Sequence, residues 1–277
     1  MVTTLQIKPS ELLQPYISCY AMRVFNTGDV AMPRPMYATQ ESYLSFFLRE
    51  RLCTITDDEG EKLRIASNSI CNLFTHSQGI AWWKGDYKVL CVQFAANGLS
   101  AIFGIPQGIL IDKILSAEDI LGKDNELLTE QLAYCNDIFQ MGIILNKYFE
   151  GKLAAHKSHY YTGTIAIVAN TILKANGFVS FDRLAYKSNM SVRTFERRFS
   201  EEVGMPAKLY ARIARFFVAV EKKMLTPEKN WTDITYEYGY FDQAHFIREC
   251  KEFSSKTPKE LFKYTPPPKE STISLEV

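Results

Sequence analysis

Two short helices around a tight turn are written twice into the last hundred residues of this chain, and few folds accept that pattern. The first copy, residues 180–202, reads SFDRLAYKSNMSVRTFERRFSEE. Ser180 can cap a helix over 181–188, because its hydroxyl accepts an orphan backbone N–H of the first turn. Asn189 tolerates the left-handed backbone that a tight turn needs. Ser191 then caps a second helix over 192–202, closed by Gly204. Leu184, Ala185, Met190, Phe195 and Phe199 supply an apolar seam, which leaves Arg193, Arg197 and Arg198 projecting.

The second copy, residues 232–253, reads TDITYEYGYFDQAHFIRECKEF. Thr232 is the expected cap of a helix holding Ile234 and Tyr238. Gly239 stands where Asn189 stood, Asp242 where Ser191 stood, Phe246 at Phe195 and Arg248 at Arg197. The offset is 50 residues in the first helix and 51 in the second. Pro206 and Pro258 each start a following helix. Two short helices joined by a three- to four-residue turn, the second bearing arginine, form the pattern of a helix-turn-helix that reads DNA, and tandem repetition makes the signal much more specific.

The length of 277 residues allows two domains. The net charge of +1 conceals an asymmetry: residues 158–268 hold 17 Lys+Arg against 12 Asp+Glu, the remainder 15 against 19. A basic half beside an acidic half suggests that one of them meets a polyanion. The six cysteines (Cys19, Cys53, Cys71, Cys91, Cys135, Cys250) form no CxxC pair and fit no zinc spacing. A reduced, cytoplasmic protein is the simplest account, and no signal peptide is visible at the N-terminus. Residues 89–111 are uncharged but hold Gln93, Asn97, Ser100, Pro106 and three glycines. They read as a strand, a short helix and a loop rather than a membrane span.

Along the N-terminal half, Leu12 to Met22 suits a short helix turning into a strand, and Pro33 and Pro35 mark a loop. Strands are expected at 43–48, 52–56, 62–65, 69–74, 81–83 and 87–94, with a hairpin turn at 57–60 (DDEG). Helical periodicity follows at 98–103, 118–121, 125–137 and 138–149, with Leu127, Leu128, Leu132, Cys135, Ile138 and Phe139 on one face. The expected architecture is an α+β N-terminal domain, 1–150, with a β-barrel or sandwich and helices behind it. A linker at 151–159, an all-α basic domain at 160–265 and a frayed tail at 266–277 complete it. In the basic domain, Ile165, Val168, Ala169, Ile172 and Leu173 mark an amphipathic helix. Residues 207–225 read as an unbroken helix of ~28 Å, close to the ~34 Å repeat of DNA. A last helix is expected over 259–264.

This arrangement resembles the AraC/XylS family of transcription regulators over residues 160–264. The residues that carry the resemblance are Leu184 and Ala185, the SxxxFxRxF run 191–199, Gly204 to Pro206, RIAR at 212–215, Ile234, Gly239 to Phe241, the FxR run 246–248, and Thr257 with Pro258. The resemblance implies two helix-turn-helix units joined by one long helix. It also implies a sensor-like, cupin-related N-terminal barrel, carried by LQPYISCY at 13–20 and FAANGLSAIFGIPQGILID at 94–112. Family base contacts map onto Arg193, Arg197, Ala244 and Arg248. Alanine can touch only a thymine methyl, so readout there is expected to be weaker. Thr235 and Cys250 depart from the family's alanine and phenylalanine, and Leu261 to Lys263 replace its usual ending. The second unit is therefore expected to pack less well or to read fewer bases.

Arginine can grip guanine O6 and N7 with two hydrogen bonds; the bland alternative is phosphate contact or pairing with Glu196 and Glu249. Gln243 and His245 are candidates for bases or backbone, Thr194 and Lys187 for phosphate, and Lys222 and Lys223 for a solvated face. Tyr43, Phe46, Trp82, Trp83 and Tyr87 either line a pocket for a small-molecule effector or are plain core. A cupin metal site needs two or three histidines, and His76 is alone in that half. No catalytic residue, metal or cofactor is expected. The reading is a cytoplasmic, sequence-specific regulator binding double-stranded DNA, with an N-terminal domain that senses a small molecule or forms a homodimer through 125–149. The alternatives are a ligand-free oligomerisation or docking module on the same DNA-binding half, and an enzyme tethered to DNA.

Overall fold

A computed structural model of the chain describes residues 2–49, 53–65, 68–156, 163–261 and 270–274. The N-terminal half holds β1 (Val2–Ile7), β2 (Ile17–Asn26), β3 (Met32–Pro35), β4 (Ser42–Phe47), β5 (Cys53–Thr56), β6 (Lys62–Ile65), β7 (Ser69–Cys71), β8 (Ile80–Trp83), β9 (Asp86–Phe94) and β10 (Ile114–Ser116). Its helices are α1 (Gly98–Phe103), α2 (Ala117–Leu121), α3 (Asp124–Ala133) and α4 (Ile138–Ala155), with a single 3-10 turn at Gln107–Ile109. A last strand, β11 (Glu270–Ser274), comes from the far end of the chain.

The strands form two open sheets, ordered β10-β7-β4-β9-β2-β1-β11 and β3-β8-β5-β6. Among the described residues no ladder closes them into the expected barrel. Alternating polarity marks a strand but not the edge it joins, so one pattern serves both architectures. On β2, Ile17, Tyr20 and Met22 turn to the helices, where Leu128, Leu132, Ile138, Met141, Leu145 and Phe149 meet them. Ala21 and Phe25 turn the other way, into a cluster with Phe47, Tyr87, Val89 and Trp83.

Several further expectations shift here. Pro33 and Pro35 lie in β3 rather than a loop, and β3 is an edge strand, where a residue without an N–H is tolerated. Residues 11–16 are turns rather than a helix, with Leu13 and Gln14 both donating to Ser10 O. The tail expected to fray returns as β11, parallel to β1 from Val2↔Glu270 to Gln6↔Ser274. Helix α4 runs on to Ala155, through the start of the expected linker; residues 157–162 lie outside the described residues. The uncharged stretch 89–111 is a strand, a helix and a turn, and no described helix is long and apolar enough to cross a membrane.

The C-terminal half is helical: α5 (Thr164–Lys174), α6 (Phe181–Lys187), α7 (Val192–Val203), α8 (Ala207–Leu225), α9 (Trp231–Glu237) and α10 (Gln243–Ser254). Ser180, Ser191 and Asp242 cap α6, α7 and α10 through their side chains. The two turns take the left-handed backbone, at Asn189 (φ 53°) and Gly239 (φ 61°). Only the second needs glycine on space grounds as well, since a Cβ there would fall 2.2 Å from Phe178 Cε1. The cap of α9 is Asn230, which accepts from Asp233 N at 2.8 Å, and not Thr232. Ser180 and Asn230 are 50 residues apart, so the true cap keeps the offset of the first helices.

Phe195, Phe199, Phe246 and Phe253 pack fully buried with Tyr210, Ile213 and Phe216 of α8. The second pair is not under-packed. Thr235 is buried and its hydroxyl donates to Trp231 O at 2.6 Å, Cys250 is fully buried, and Trp231 lies 5.0 Å from the Phe246 ring. Residues 258–261 form a turn instead of a helix start, with Thr257 N and Oγ1 both donating to Glu260 Oε2; residues 262–264 lie outside the described residues.

The corrected cap gives a direct check. Asn230→Ala should lower unfolding free energy by about 1 kcal/mol in urea titration, while Thr232→Ala stays within ~0.5 kcal/mol.

Candidate nucleic-acid interface

Each second helix buries one face and presents the other. On α7, Phe195, Phe199 and Val203 face the core. Arg193 and Arg197, one turn apart, are exposed. On α10, Phe246, Cys250 and Phe253 face the core, and Gln243, Ala244 and Arg248 are exposed. The 51-residue offset places Arg248 at the position of Arg197 and Ala244 at that of Arg193.

Charge partners divide the cations of this half into two classes. Arg198 is bound to Glu202 (Nη2–Oε1 2.7 Å). Arg212 binds Glu249 at 2.8 Å and Glu252 at 2.6 Å, and so ties α8 to α10. Arg215 donates to Gly177 O at 3.3 Å and lies 4.7 Å from the centroid of the Phe178 ring. Lys222 and Lys229 share Glu237, and Lys223 donates to the carbonyls of Pro227 and Lys229. These side chains hold the fold together. Lys187, Arg193 and Arg248 are exposed with no ion pair among the described residues. Arg197 pairs with Glu201 at 2.9 Å, at 61% side-chain exposure. Such an exposed i,i+4 pair contributes only ~0.3–0.5 kcal/mol, so Arg197 is held weakly.

The remaining candidates are more constrained. Thr194 Oγ1 lies 2.9 Å from Ser191 Oγ, within the cap of α7. Gln243 Nε2 donates to Thr232 Oγ1 at 2.7 Å. His245 is half-buried, with its ring edge-on to Tyr240 and Nε2 3.4 Å from Glu249 Oε1. Of the two carboxylates weighed as alternative partners, Glu249 is taken by Arg212 and lies beside His245.

Exposed aromatics not considered as contacts border the same helices. Tyr186 on α6 and Tyr236 on α9 are 83% and 65% exposed, and Phe241, 88% exposed, is the extra residue of the second turn. The signal was present, since Tyr186 and Tyr236 obey the same 50-residue offset as the buried positions.

The five aromatics considered for a ligand do not converge. Phe46 is fully buried against the helices, while Tyr43 of the first sheet and Trp83 of the second pack into the cluster between the sheets. Neighbouring strand residues point to opposite faces, and Phe46 and Trp82 are each one position off the Tyr43–Trp83–Tyr87 side. Tyr87 stacks on Phe25 at 5.0 Å and gives its hydroxyl to Lys84 O. Trp82 instead lines a cleft of about 220 Å³ together with Tyr37, Asp57, Asp58, Ser254 and Lys256. The cysteines are free, and burial pushes the Cys19 thiol up to about 11 and Cys53 and Cys71 up to about 12, which disfavours the reactive thiolate at these three. No group of metal ligands occurs among the described residues.

Destabilisation separates the two classes of arginine. Arg212→Ala strands the buried Glu249 carboxylate and should cost ~3 kcal/mol in urea unfolding, whereas Arg193→Ala should cost less than ~0.5 kcal/mol.

No curated protein matches the chain. Among solved structures, ToxT from Vibrio cholerae O395 is 10% identical, covering 87% of this chain and 96% of that one, at a TM-score of 0.44. The unsaturated fatty acid-bound ToxT of V. cholerae strain SCE256 is 11% identical, covering 94% and 93%, at 0.42. The AraC-like transcriptional activator CuxR is 14% identical, covering 73% and 76%, at 0.28. A family model described as a helix-turn-helix domain matches residues 184–264. That segment runs from Leu184 on α6 through both arginine-bearing helices, so the helical half contains a helix-turn-helix domain.

Proposed function

We infer that the chain is a sequence-specific DNA-binding regulator of transcription, in which α6–α7 and α9–α10 are two helix-turn-helix units. Helices α7 and α10 enter major-groove segments of double-stranded DNA, with Arg193, Arg197 and Arg248 reading bases and Ala244 contacting a thymine methyl. Lys187, Thr194, Gln243, His245, Tyr186 and Tyr236 border these helices as phosphate or edge contacts. The observation that carries the reading is selective exposure: the repeat leaves arginines exposed at matching positions of both second helices, while Arg198, Arg212 and Arg215 are engaged in the fold. At 19 residues, α8 spans ~28 Å, a fitting strut for two reading helices about one duplex turn apart.

The N-terminal domain, residues 1–150, supplies dimerisation, effector sensing or both. Helix α4 presents Phe139 (39% exposed) and Ile143 (69%) one turn apart, with Leu127 exposed on α3 and Tyr134 exposed just past its end. That apolar face favours a homodimer, which doubles the DNA contacts of each complex. Ile143→Glu should therefore give a monomer in sedimentation velocity where the unaltered chain is dimeric.

Sequence selection from random DNA with the purified protein identifies the operator. On that DNA, Arg197→Ala should lose ~1–3 kcal/mol and relax preference at one base pair. Lys187→Ala should weaken all sequences alike and reduce the salt slope by about one. A uniform loss from Arg197→Ala would assign it to phosphate instead.

A further inference from the structure

The N-terminal domain touches each second helix of the basic half at the same place. At α7 the contact is the C-terminal end. Gly204, which ends α7 in the left-handed conformation, lies against the 3-10 turn, and a Cβ there would fall 2.9 Å from Ile111 Cγ1 and 3.1 Å from the Gln107 carbonyl carbon. Two residues further back, the Asn97 side chain lies beside the Glu202 carboxylate and favours its charged form. Asn97 occupies the N-cap position of α1 yet makes no capping bond to its own helix.

At α10 the contact is again the C-terminal end. Ala38 N donates to Phe253 O at 2.8 Å, and Ser255 Oγ donates to Asp58 Oδ2 at 2.6 Å. Ala38 is fully buried within the hydrophobic cluster of the helical half, as are Leu73 and Ala96 at less than a tenth exposed. Tyr37 stands edge-on to Phe216 of α8 at 6.2 Å. These anchors come from the 36–39 loop, the 57–60 turn and the 96–111 segment, three pieces of one domain.

The first turns of α7 and α10 stay clear: Arg193, Gln243 and Ala244 are exposed. A domain that blocked DNA would cover those turns. This one holds the opposite ends and leaves the reading ends open.

We propose that the N-terminal domain is a positioning clamp that fixes the spacing and angle between the two DNA-reading helices by gripping both at their C-terminal ends through Asn97, Ile111, Ala38 and Asp58. The proposal rests on the regulator reading above and adds a source of specificity: the distance between the two DNA segments is read by the domain interface and not by the arginines. Helix α8 joins the two pairs within the basic half, through Arg212 and the apolar cluster. The clamp adds a second, independent brace across the same gap.

The test uses the full chain and the DNA selected by it, with derivatives carrying one or two base pairs inserted between the two contacted segments. The unaltered chain should lose tenfold or more in affinity on the inserted DNAs. Ala38→Asp and the pair Asn97→Ala with Ile111→Ser should bind the original DNA about tenfold more weakly and discriminate the inserted DNAs by less than threefold. Asn97→Ala removes no cap, so the double variant remains folded where Ala38→Asp fails; a cooperative melt confirms it. Folded variants that keep the spacing preference of the unaltered chain overturn the clamp and leave the regulator reading standing. Variants that bind the original DNA more tightly overturn it too, by showing an inhibitory contact. An unaltered chain that selects no DNA sequence overturns both readings.

Discussion

The apolar stripe of α8 is the surface on which both helix pairs close. Tyr210, Ile213, Phe216, Ala219 and Val220 are buried along it. Phe199 meets Tyr210 at 5.6 Å from the first pair, and Phe253 meets Phe216 at 5.5 Å from the second. A helix of seven residues such as α6 or α9 is too short to persist alone in water, because nucleation outweighs the few bonds it forms. Each pair is therefore ordered by burial against α8. The angle at which that burial is satisfied decides where the arginines of α7 and α10 point.

Arg212 and Arg215 show why charge on such a strut is not free for DNA. Both project from α8 toward neighbours that bury part of them, and Arg212 meets a Glu249 carboxylate with 2% side-chain exposure. Breaking that pair would leave an uncompensated charge in a dry place, a penalty of several kcal/mol. Position in the helix sorts the cations: those beside the apolar stripe become ties, and those opposite it stay available. The net positive charge of this half is thus an overestimate of what a polyanion can meet.

The helical half was legible because its signals are local. Caps, left-handed turn residues and a 3.6-residue period each lie within one helix and repeat at a fixed offset, so the second copy checks the first. The one cap misplaced, Thr232 for Asn230, would have been corrected by the 50-residue offset from Ser180. The sheet half was less legible because strand pairing is non-local. Individual strands such as β4, β5 and β9 show in the alternation, but β1, β10 and β11 are defined by a partner far along the chain. The same gap hid the fate of the aromatics, since Phe46 and Trp82 differ from Tyr43 and Trp83 only in the face they occupy. Exposure of Arg193 and Arg248 followed from period alone. The partners of Arg198, Arg212 and Arg215 did not, because they depend on tertiary approach.

The boundary between the halves differs in character from either core. Its apolar part is small and includes Ala38, Leu73 and Ala96, with Ile111 against Gly204. Beside these sit buried polar atoms without a hydrogen-bond partner among the described residues: Asn97 Oδ1, Gln107 Oε1, Glu202 Oε2 and Tyr210 Oη. Each such atom costs roughly 1–3 kcal/mol relative to a satisfied one. Burial also raises the Glu202 carboxyl above the ordinary range despite its Arg198 partner. An interface meant only to be permanent would replace these groups with apolar ones. A seam that combines close fit with unsatisfied polarity is less stable than an apolar seam of the same area.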